Sequence, residues 1–155
     1  LAQAYTMFAN GGIMYPAKLL KLEGAPVGRQ IMRPENARAV LRMLKAVVAD
    51  DATGKRAMID GYTVAGKTGT AYKFLNKRYD TRRRIVSFIG LAPASNPRLI
   101  VAVMLDEPQV ERATGGRLVA PMFTKIMSNS LRVLDIPPDD LPAQAGSGGT
   151  KKGGA

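Results

Sequence analysis

The sequence predicts an α/β domain of the α+β kind, in which an antiparallel β-sheet is covered by helices. Strand-like runs with short connections occupy the middle of the chain, and apolar residues recur at helical spacing on both sides of them. The 155 residues are 46% hydrophobic, which is enough to bury the core of one domain. These three observations together favour a single helix-covered sheet.

The first part of the chain is predicted to be mainly helical. Residues 1–10 form a helix that the pair Gly11-Gly12 ends, and an extended piece over residues 13–22 follows. A second helix begins at Pro34, because proline is favoured in a first turn. Its buried stripe is predicted to contain six residues, namely Ala37, Val40, Leu41, Leu44, Val47 and Val48.

Three strands are predicted after this helix, over residues 61–72, 85–92 and 99–106. Their short connections favour an antiparallel meander. The third run is apolar throughout, so that strand is expected to be covered on both faces. Residues 73–84, between the first two strands, are predicted to form a basic surface loop of a hairpin.

A final helix is expected to lie across the sheet beside the first helix. Its predicted apolar stripe consists of Val119, Phe123, Ile126, Met127, Leu131 and Leu134. The domain is predicted to cover residues 1–142. Residues 143–155 are rich in glycine and have no apolar period, so they are predicted to be a disordered tail.

Composition excludes several kinds of chemistry. The chain has no Cys and no His, which rules out disulfides, thiol catalysis and histidine triads. No cluster of ligands predicts a metal site, no cofactor is implied, and no apolar run is long enough to span a membrane. The net charge of +11 permits an anionic partner without choosing one, and sparse aromatic residues argue against nucleic acid.

Among the adjacent carboxylates of the sequence, Asp106 and Glu107 are the pair that most suggests acid–base catalysis. Consecutive strand residues point to opposite faces, so the two groups are not expected to share a proton. The pair is therefore interpreted as the end of the third strand.

The stretch Lys67-Thr68-Gly69-Thr70 concentrates one cation and two hydroxyls. Residues 61–68 match the phosphate-loop pattern G-x-x-x-x-G-K-[ST], which requires a helix to begin directly afterwards. No helical pattern follows, so a strand that lies along a cleft is favoured, with the nucleotide loop as a lesser alternative.

A strand of this composition suits an anionic, peptide-like ligand. Lys67 supplies positive charge, and the hydroxyls of Thr68 and Thr70 can donate to a carboxylate. Gly69 has no side chain, so another backbone can lie close to it. An extended peptide could pair with the strand's own amide and carbonyl groups.

Several motifs, in order, resemble the penicillin-binding proteins, and most closely the class B members of the cell-division (septal) type. They occupy residues 64–71, 88–94, 96–103 and 106–108, and residues 133–142 are similar to that family's C-terminus. The resemblance implies a transpeptidase fold like that of the serine β-lactamases. It implies a D,D-transpeptidase that is acylated by the D-Ala-D-Ala end of peptidoglycan stem peptides and inhibited by β-lactams.

The resemblance also implies roles for individual residues. Lys67 and Thr70 would be catalytic, Lys67 by assisting proton transfer and Thr70 by donating its backbone N–H to an oxyanion. Lys67, Thr68, Gly69, Thr70 and Tyr72 would bind the substrate. Many relatives have Arg at the position of Tyr72 and aromatic residues where this chain has Ala113 and Thr114, so a more open cleft is expected.

The family's nucleophile, a Ser followed three residues later by Lys, is absent from this chain. Its five serines have other residues at that spacing; they are Ser87, Ser95, Ser128, Ser130 and Ser147. The family's Ser-x-Asn element has no usable counterpart either. We therefore expect the chain to be the C-terminal portion of a transpeptidase domain and to be inactive alone.

If the resemblance holds, the parent enzyme acts on the periplasmic face of the bacterial inner membrane, anchored by an N-terminal helix not present in this chain. Division-complex membrane proteins are then the expected partners. An alternative is a non-catalytic binding module that places the hairpin of residues 73–84 on an acidic polymer or division partner. That hairpin carries six basic residues against a single acid, Asp80.

Overall fold

The computed structural model describes residues 1–20, 23–49, 51–110 and 112–141; the predicted tail, residues 143–155, lies outside these ranges. The elements, in chain order, are α1 (Ala2–Ala9), β1 (Ile13–Met14), β2 (Arg29–Gln30), α2 (Pro34–Ala46), β3 (Ala65–Leu75), β4 (Arg78–Ala92), β5 (Leu99–Asp106) and α3 (Ala120–Val133). A 3₁₀ turn, Lys55–Ala57, precedes β3, and a π-helical turn, Gly115–Val119, leads into α3. Within the described ranges, none of the helices has the length and apolar character needed to cross a membrane.

The central sheet is an antiparallel meander in the order β3-β4-β5, and β1 and β2 form a separate two-stranded ribbon. The predicted fold class and meander are confirmed. In the described sheet, β3 pairs with β4 along one edge, and its other edge has no strand partner. The strand that carries Lys67 is therefore placed where an extended ligand could add to the sheet.

One face of the sheet packs against α3. Val86 and Phe88 are fully buried on this face, and the ring centroid of Phe88 lies 4.7 Å from that of Phe123 in α3. Because strand side chains alternate between faces, these residues and Thr68, which pairs opposite Phe88, point to the same side. The face that carries Thr68 is thus the α3 face.

The opposite face packs against α1 and α2. Leu91 of β4 and Ala65 of β3 form a buried cluster there with Leu44 of α2, and Tyr5 and Phe8 of α1 pack against it. The prediction that the last helix lies beside the first is therefore wrong. The alternation of β4 supplies an apolar surface on both sides, and each side takes its own helices.

The helix stripes are confirmed only in part. In α2 and the turn after it, Ala37, Leu44 and Val48 are buried, whereas Val40, Leu41 and Val47 are half-buried. In α3, Phe123, Met127 and Leu131 are fully buried together with Val119 before it, but Ile126 and Leu134 are 45% and 57% exposed. Residues four apart stack along one line of a helix, and the sheet covers only that line.

The expectation that β5 is covered on both faces is wrong. Val101, Val103 and Leu105 pack against the α3-side core, whereas Ala102 and Met104 face outward and Met104 is 59% exposed. On that second face only Ile100, near the start of β5, packs against the cluster of α1 and α2. In the described sheet β5 is also the last strand, so its outer edge has no strand partner.

The basic segment 73–84 is not a loop, because β3 and β4 continue through it. They are joined by Asn76 and Lys77, whose φ angles of 50° and 61° are those of a tight hairpin turn. Phe74 and Tyr79 pair across the hairpin with ring centroids 5.2 Å apart. A two-residue turn without glycine gives a weak sequence signal, which explains the error.

The pairing of β3 with β4 shifts once along this hairpin. Tyr72 pairs opposite Arg84, but Lys73 pairs opposite Asp80, so residues 81–83 bulge out of β4. We call the part of the hairpin beyond this shift, residues 73–83, the basic arm. The bulge separates the basic arm from the part of β3 that carries Lys67.

The segment after α3 returns to the beginning of β3. The hydroxyl of Tyr62 donates to the carbonyl oxygen of Ile136 at 2.6 Å, and the N–H groups of Asp139 and Asp140 both donate to the carbonyl oxygen of Gly61. These bonds fix the residues that lead into the site strand.

Candidate substrate-binding site

Lys67 lies within a continuous strand. It pairs opposite Ile89, and β3 continues without interruption to Leu75. A phosphate loop needs a helix N-terminus directly after its Lys-Thr, and none is present here. The structure therefore contradicts the nucleotide-loop alternative.

The Lys67 ammonium bends towards Thr68. Its Nζ atom donates to the carbonyl oxygen of Thr68 at 3.0 Å and to Thr68 Oγ1 at 3.2 Å. Strand alternation places the two Cβ atoms on opposite faces, but the four-carbon lysine stem is long enough to reach round the edge. The positive charge and a hydroxyl are thus held at the same point of the strand edge.

A groove of about 360 Å³ lies beside this strand edge. The loop after α2, the α3 face of β3 and the π-helical turn before α3 contribute its lining, which consists of Thr53, Thr68, Thr70, Thr114, Gly115, Gly116 and Arg117. Four of these seven residues carry a hydroxyl. The structure therefore brings Thr68 and Thr70 together in the lining of one concave surface, as the strand interpretation requires.

Gly69 and Gly115 are in close backbone contact at the base of the groove. A Cβ atom built on Gly115 would overlap the carbonyl oxygen of Ser87 and lie 3.0 Å from that of Gly69. A Cβ atom on Gly69 would overlap the hydroxyl of Ser87. The backbone of Gly115 thus lies close to that of Gly69, and the predicted close approach of a ligand backbone to Gly69 stays a prediction.

The far wall of the groove is fixed by similar contacts. A Cβ atom on Gly116 would overlap the carbonyl oxygen of Thr53, so the two loops touch backbone to backbone. Thr114 Oγ1 accepts a hydrogen bond from the N–H of Arg117 at 3.3 Å, which caps the turn that leads into α3. Thr114 thus lines the groove, whereas Ala113 is buried and contributes no wall.

Tyr72 lies on the same strand face as Thr68 and Thr70 but outside the lining of the groove. Its side chain is 46% exposed, and the guanidinium carbon of Arg84 lies 5.9 Å from its ring centroid. This is a cation–π contact across the hairpin. Its predicted role in substrate binding stays a prediction.

Asp106 and Glu107 converge on one ammonium. Lys73 Nζ lies 2.7 Å from Asp106 Oδ1 and 2.8 Å from Glu107 Oε1. The expectation that the two carboxylates point apart is wrong, because Glu107 has left the strand with a φ of 47°. The hydrogen bond with Asp106 is the largest cause that raises the pKa of Lys73, and the hydrogen bond with Glu107 is the next. Both carboxylates are therefore held by Lys73 in a structural ion cluster.

No described serine contacts Lys67. The Ser95 hydroxyl donates to Asp139, and the hydroxyls of Ser128 and Ser130 donate to carbonyl oxygens of their own helix. Ser87 pairs opposite Gly69 in the sheet, and the fifth serine, Ser147, is outside the described residues. In the described part of the chain, the strand that carries Lys67 therefore has no serine hydrogen-bonded to that lysine.

Two lining residues, Thr53 and Arg117, were not recognised in the sequence. Thr53 enters the groove because the loop after α2 folds back onto Gly116. No local pattern predicts that contact. The sequence signal closest to Arg117 is the glycine pair before it, which indicates only that a helix begins nearby.

The fold and groove define a class of protein: a helix-covered antiparallel sheet with a groove beside an edge strand that carries a lysine and two threonines. Comparison with known sequences places the chain within that class. It belongs to the family described as "Penicillin binding protein transpeptidase domain", which matches residues 1–128.

Two curated relatives have high identity. The "Probable peptidoglycan D,D-transpeptidase PbpC" of Pseudomonas aeruginosa is 46% identical over 91% of this chain and 25% of its own length. The "Probable peptidoglycan D,D-transpeptidase PenA" of Neisseria meningitidis is 44% identical over 89% of this chain and 24% of its own length. The chain thus spans about a quarter of the length of the curated relatives it matches.

A solved structure agrees with the fold. The transpeptidase domain of Burkholderia pseudomallei penicillin-binding protein 3 superposes with a TM-score of 0.83 at 39% sequence identity. The match covers 90% of this chain and 43% of that one. The resemblance inferred from the motifs is confirmed at the level of family and fold.

Proposed function

We propose that the protein containing this chain is a peptidoglycan D,D-transpeptidase, which cross-links stem peptides by serine acyl transfer. The observation that carries the proposal is the groove beside an unpaired strand edge, with Thr68 and Thr70 in its lining and the Lys67 ammonium against Thr68. Membership of the transpeptidase family and the names of the relatives support it.

Substrate binding begins with addition of the stem peptide to the open edge of β3. The D-Ala-D-Ala end lies along residues 66–70, and main-chain hydrogen bonds hold it extended. Thr68 and Thr70 donate their hydroxyls to the terminal carboxylate. Lys67 contributes positive charge at the same point, where charge-assisted hydrogen bonds are worth about 1.5 to 3 kcal/mol each.

The acyl transfer needs a serine outside these 155 residues. That serine attacks the penultimate D-Ala carbonyl, and the backbone N–H of Thr70 stabilises the resulting oxyanion. The terminal D-Ala leaves with a proton, and an amine of a second stem peptide then displaces the serine to complete the cross-link. Lys67 assists proton transfer at the nucleophile, and β-lactams acylate the same serine.

Gly69 and Tyr72 have supporting roles in this proposal. Gly69 has no side chain, so the backbone of the extended ligand can lie close to it, and its own backbone contacts that of Gly115. Tyr72, held by Arg84, extends the binding face beyond Thr70. The enzyme would act at the septum on the periplasmic face of the inner membrane, anchored by a helix outside this chain, with membrane proteins of the division complex as partners.

A fluorescent β-lactam tests the proposal. The full-length protein should form a covalent adduct that an unlabelled β-lactam prevents. The isolated 155 residues should form none, because they contain no Ser-x-x-Lys. A folded full-length protein that stays unlabelled would contradict the proposal, and stoichiometric labelling of the isolated chain would contradict the assignment of the nucleophile.

The basic arm supports a second candidate, a non-catalytic module that binds an acidic polymer or a division partner. The bulge of residues 81–83 helps to enclose a concave surface of about 550 Å³, lined in part by Arg78, Arg82 and Arg83. Asp80 partly neutralises it, since Arg83 Nε lies 3.6 Å from Asp80 Oδ2.

This candidate predicts salt-sensitive binding to an acidic polymer such as polyglutamate. Replacing Arg82, Arg83 and Arg84 by Gln should abolish the binding, and Lys67→Ala should leave it unchanged. Binding that survives the triple replacement would exclude the basic arm as the contact surface.

A further inference from the structure

Arg117 is the one charged side chain among the described residues that line the groove. The other lining residues are threonines and glycines, and Lys67 lies outside the lining. The groove therefore combines two hydroxyl-bearing residues of β3, Thr68 and Thr70, with an exposed arginine from the turn before α3.

The backbone of Arg117 is held in place from two sides. Its N–H donates to Thr114 Oγ1 at 3.3 Å, and its carbonyl oxygen accepts from Arg56 Nη1 at 3.3 Å. The turn that carries Arg117 also contains Gly115 and Gly116, both in close backbone contact with the floor and wall of the groove. The origin of the side chain is thus fixed relative to Thr68 and Thr70.

The guanidinium of Arg117 has no anionic partner in the described part of the chain. The described ion pairs involve Lys73 and Arg83 instead. An exposed guanidinium offers five N–H donors in a planar fork that fits a carboxylate with two parallel hydrogen bonds. The Lys67 ammonium, in contrast, already donates to two atoms of Thr68.

We propose that Arg117 binds the terminal carboxylate of the ligand together with Thr68 and Thr70, and that it selects ligands in which this carboxylate is free. The inference rests on the proposed transpeptidase function and assigns a specificity-determining residue to the same groove. Two hydroxyls and one guanidinium around a single concavity satisfy more of a carboxylate's acceptor sites than the hydroxyls alone.

The test measures the second-order rate constant of acylation of the full-length protein by a β-lactam and by its methyl ester. Arg117→Gln removes the charge, Arg117→Lys keeps it without the fork, and Arg132→Gln is a matched control in α3, which follows the turn that carries Arg117. Arg132 lies outside the lining of the groove. Melting temperatures of the variants report whether folding is preserved.

Arg117→Gln should lower the rate constant for the free acid about tenfold, as expected for loss of one charge-assisted interaction at an exposed site. The rate constant for the ester should be unchanged, Arg117→Lys should recover part of the loss, and Arg132→Gln should match the wild type. The inference would be overturned if the free-acid β-lactam acylated Arg117→Gln as fast as it acylates the wild type. It would also be overturned if Arg117→Gln lowered the rate constants for the free acid and for the ester by the same factor. Absence of acylation in the folded wild type would contradict the proposed function itself.

Discussion

Asp139 holds Thr63 through two hydrogen bonds to its carboxylate. One comes from the backbone N–H of Thr63, at 2.7 Å from Oδ1, and the other from the Thr63 hydroxyl. The Ser95 hydroxyl donates to the same carboxylate. Thr63 lies two residues before β3, so the segment after α3 is part of the support of the site strand.

The first prediction concerns the loss of this carboxylate. Burial alone would raise the pKa of Asp139, but hydrogen bonds from Ser95 and Thr63 outweigh it and hold the pKa below the ordinary value of 3.8. Asp139→Asn should lower the free energy of unfolding by about 1 to 2 kcal/mol at pH 7 in denaturant titrations of the full-length protein. The neutral amide cannot accept from all of these donors.

The pH dependence of this effect has a defined sign. Because the pKa of Asp139 is lower in the folded state, its carboxylate stabilises the fold at pH values above 3.8. This stability is lost as the pH falls through the pKa of Asp139 in the folded state. The difference between wild type and Asp139→Asn should therefore shrink in that acid range. Asp140→Asn is the matched control, because the described residues make no hydrogen bond to the Asp140 side chain. A constant difference at all pH values would contradict the assignment.

The second prediction compares two glycines at the base of the groove. Gly115→Ala places a methyl group against the backbone carbonyl of Ser87, which cannot move aside, and should cost about 1 to 3 kcal/mol of stability. Gly69→Ala meets only the Ser87 hydroxyl, so its cost should be smaller.

A second-site change separates the two effects. Ser87→Ala should relieve Gly69→Ala, since the next neighbour of the added methyl is Ser87 Cβ at an ordinary 3.8 Å. It should not relieve Gly115→Ala. Denaturant unfolding of the single and double variants provides the measurement, and equal relief of both would contradict the described packing.

The third prediction concerns the ion cluster at the bulge. Lys73→Gln removes the contacts to Asp106 and Glu107, so the amides of the basic arm should exchange with deuterium faster than in the wild type. Because the pKa of Lys73 is raised in the folded state, the cluster stabilises the fold at pH values below 10.5. This stability is lost only as the pH rises through the higher pKa of Lys73 in the folded state. Lys77→Gln at the turn is the control and should leave exchange unchanged.

Local sequence patterns predicted the elements well, because each depends on residues close together in the chain. The strand around Lys67 followed from β-branched residues and from the absence of a helical pattern after Thr68. The start of α2 followed from Pro34, where the helix does begin. The Lys-Thr-Gly-Thr stretch does lie in a strand, and its interpretation as a binding strand, which rests on its residue types, stays a prediction.

Features that depend on distant contacts could not be predicted in this way. Thr53 and Arg117 reach the groove only because two loops touch at Gly116. The choice of sheet face for α1 and α3 depends on which side of β4 each helix covers, and both sides are apolar. Glu107 reverses its expected direction through a single backbone angle.

The central claim is that the strand edge around Lys67 binds the ligand. Its most direct test is the acylation rate constant of the full-length protein with a fluorescent β-lactam, measured for wild type, Lys67→Ala and the control Lys125→Ala on α3. Loss of a group that assists proton transfer should lower the rate at least about a hundredfold in Lys67→Ala, with Lys125→Ala unchanged. A folded Lys67→Ala variant that is acylated as fast as the wild type would contradict the account.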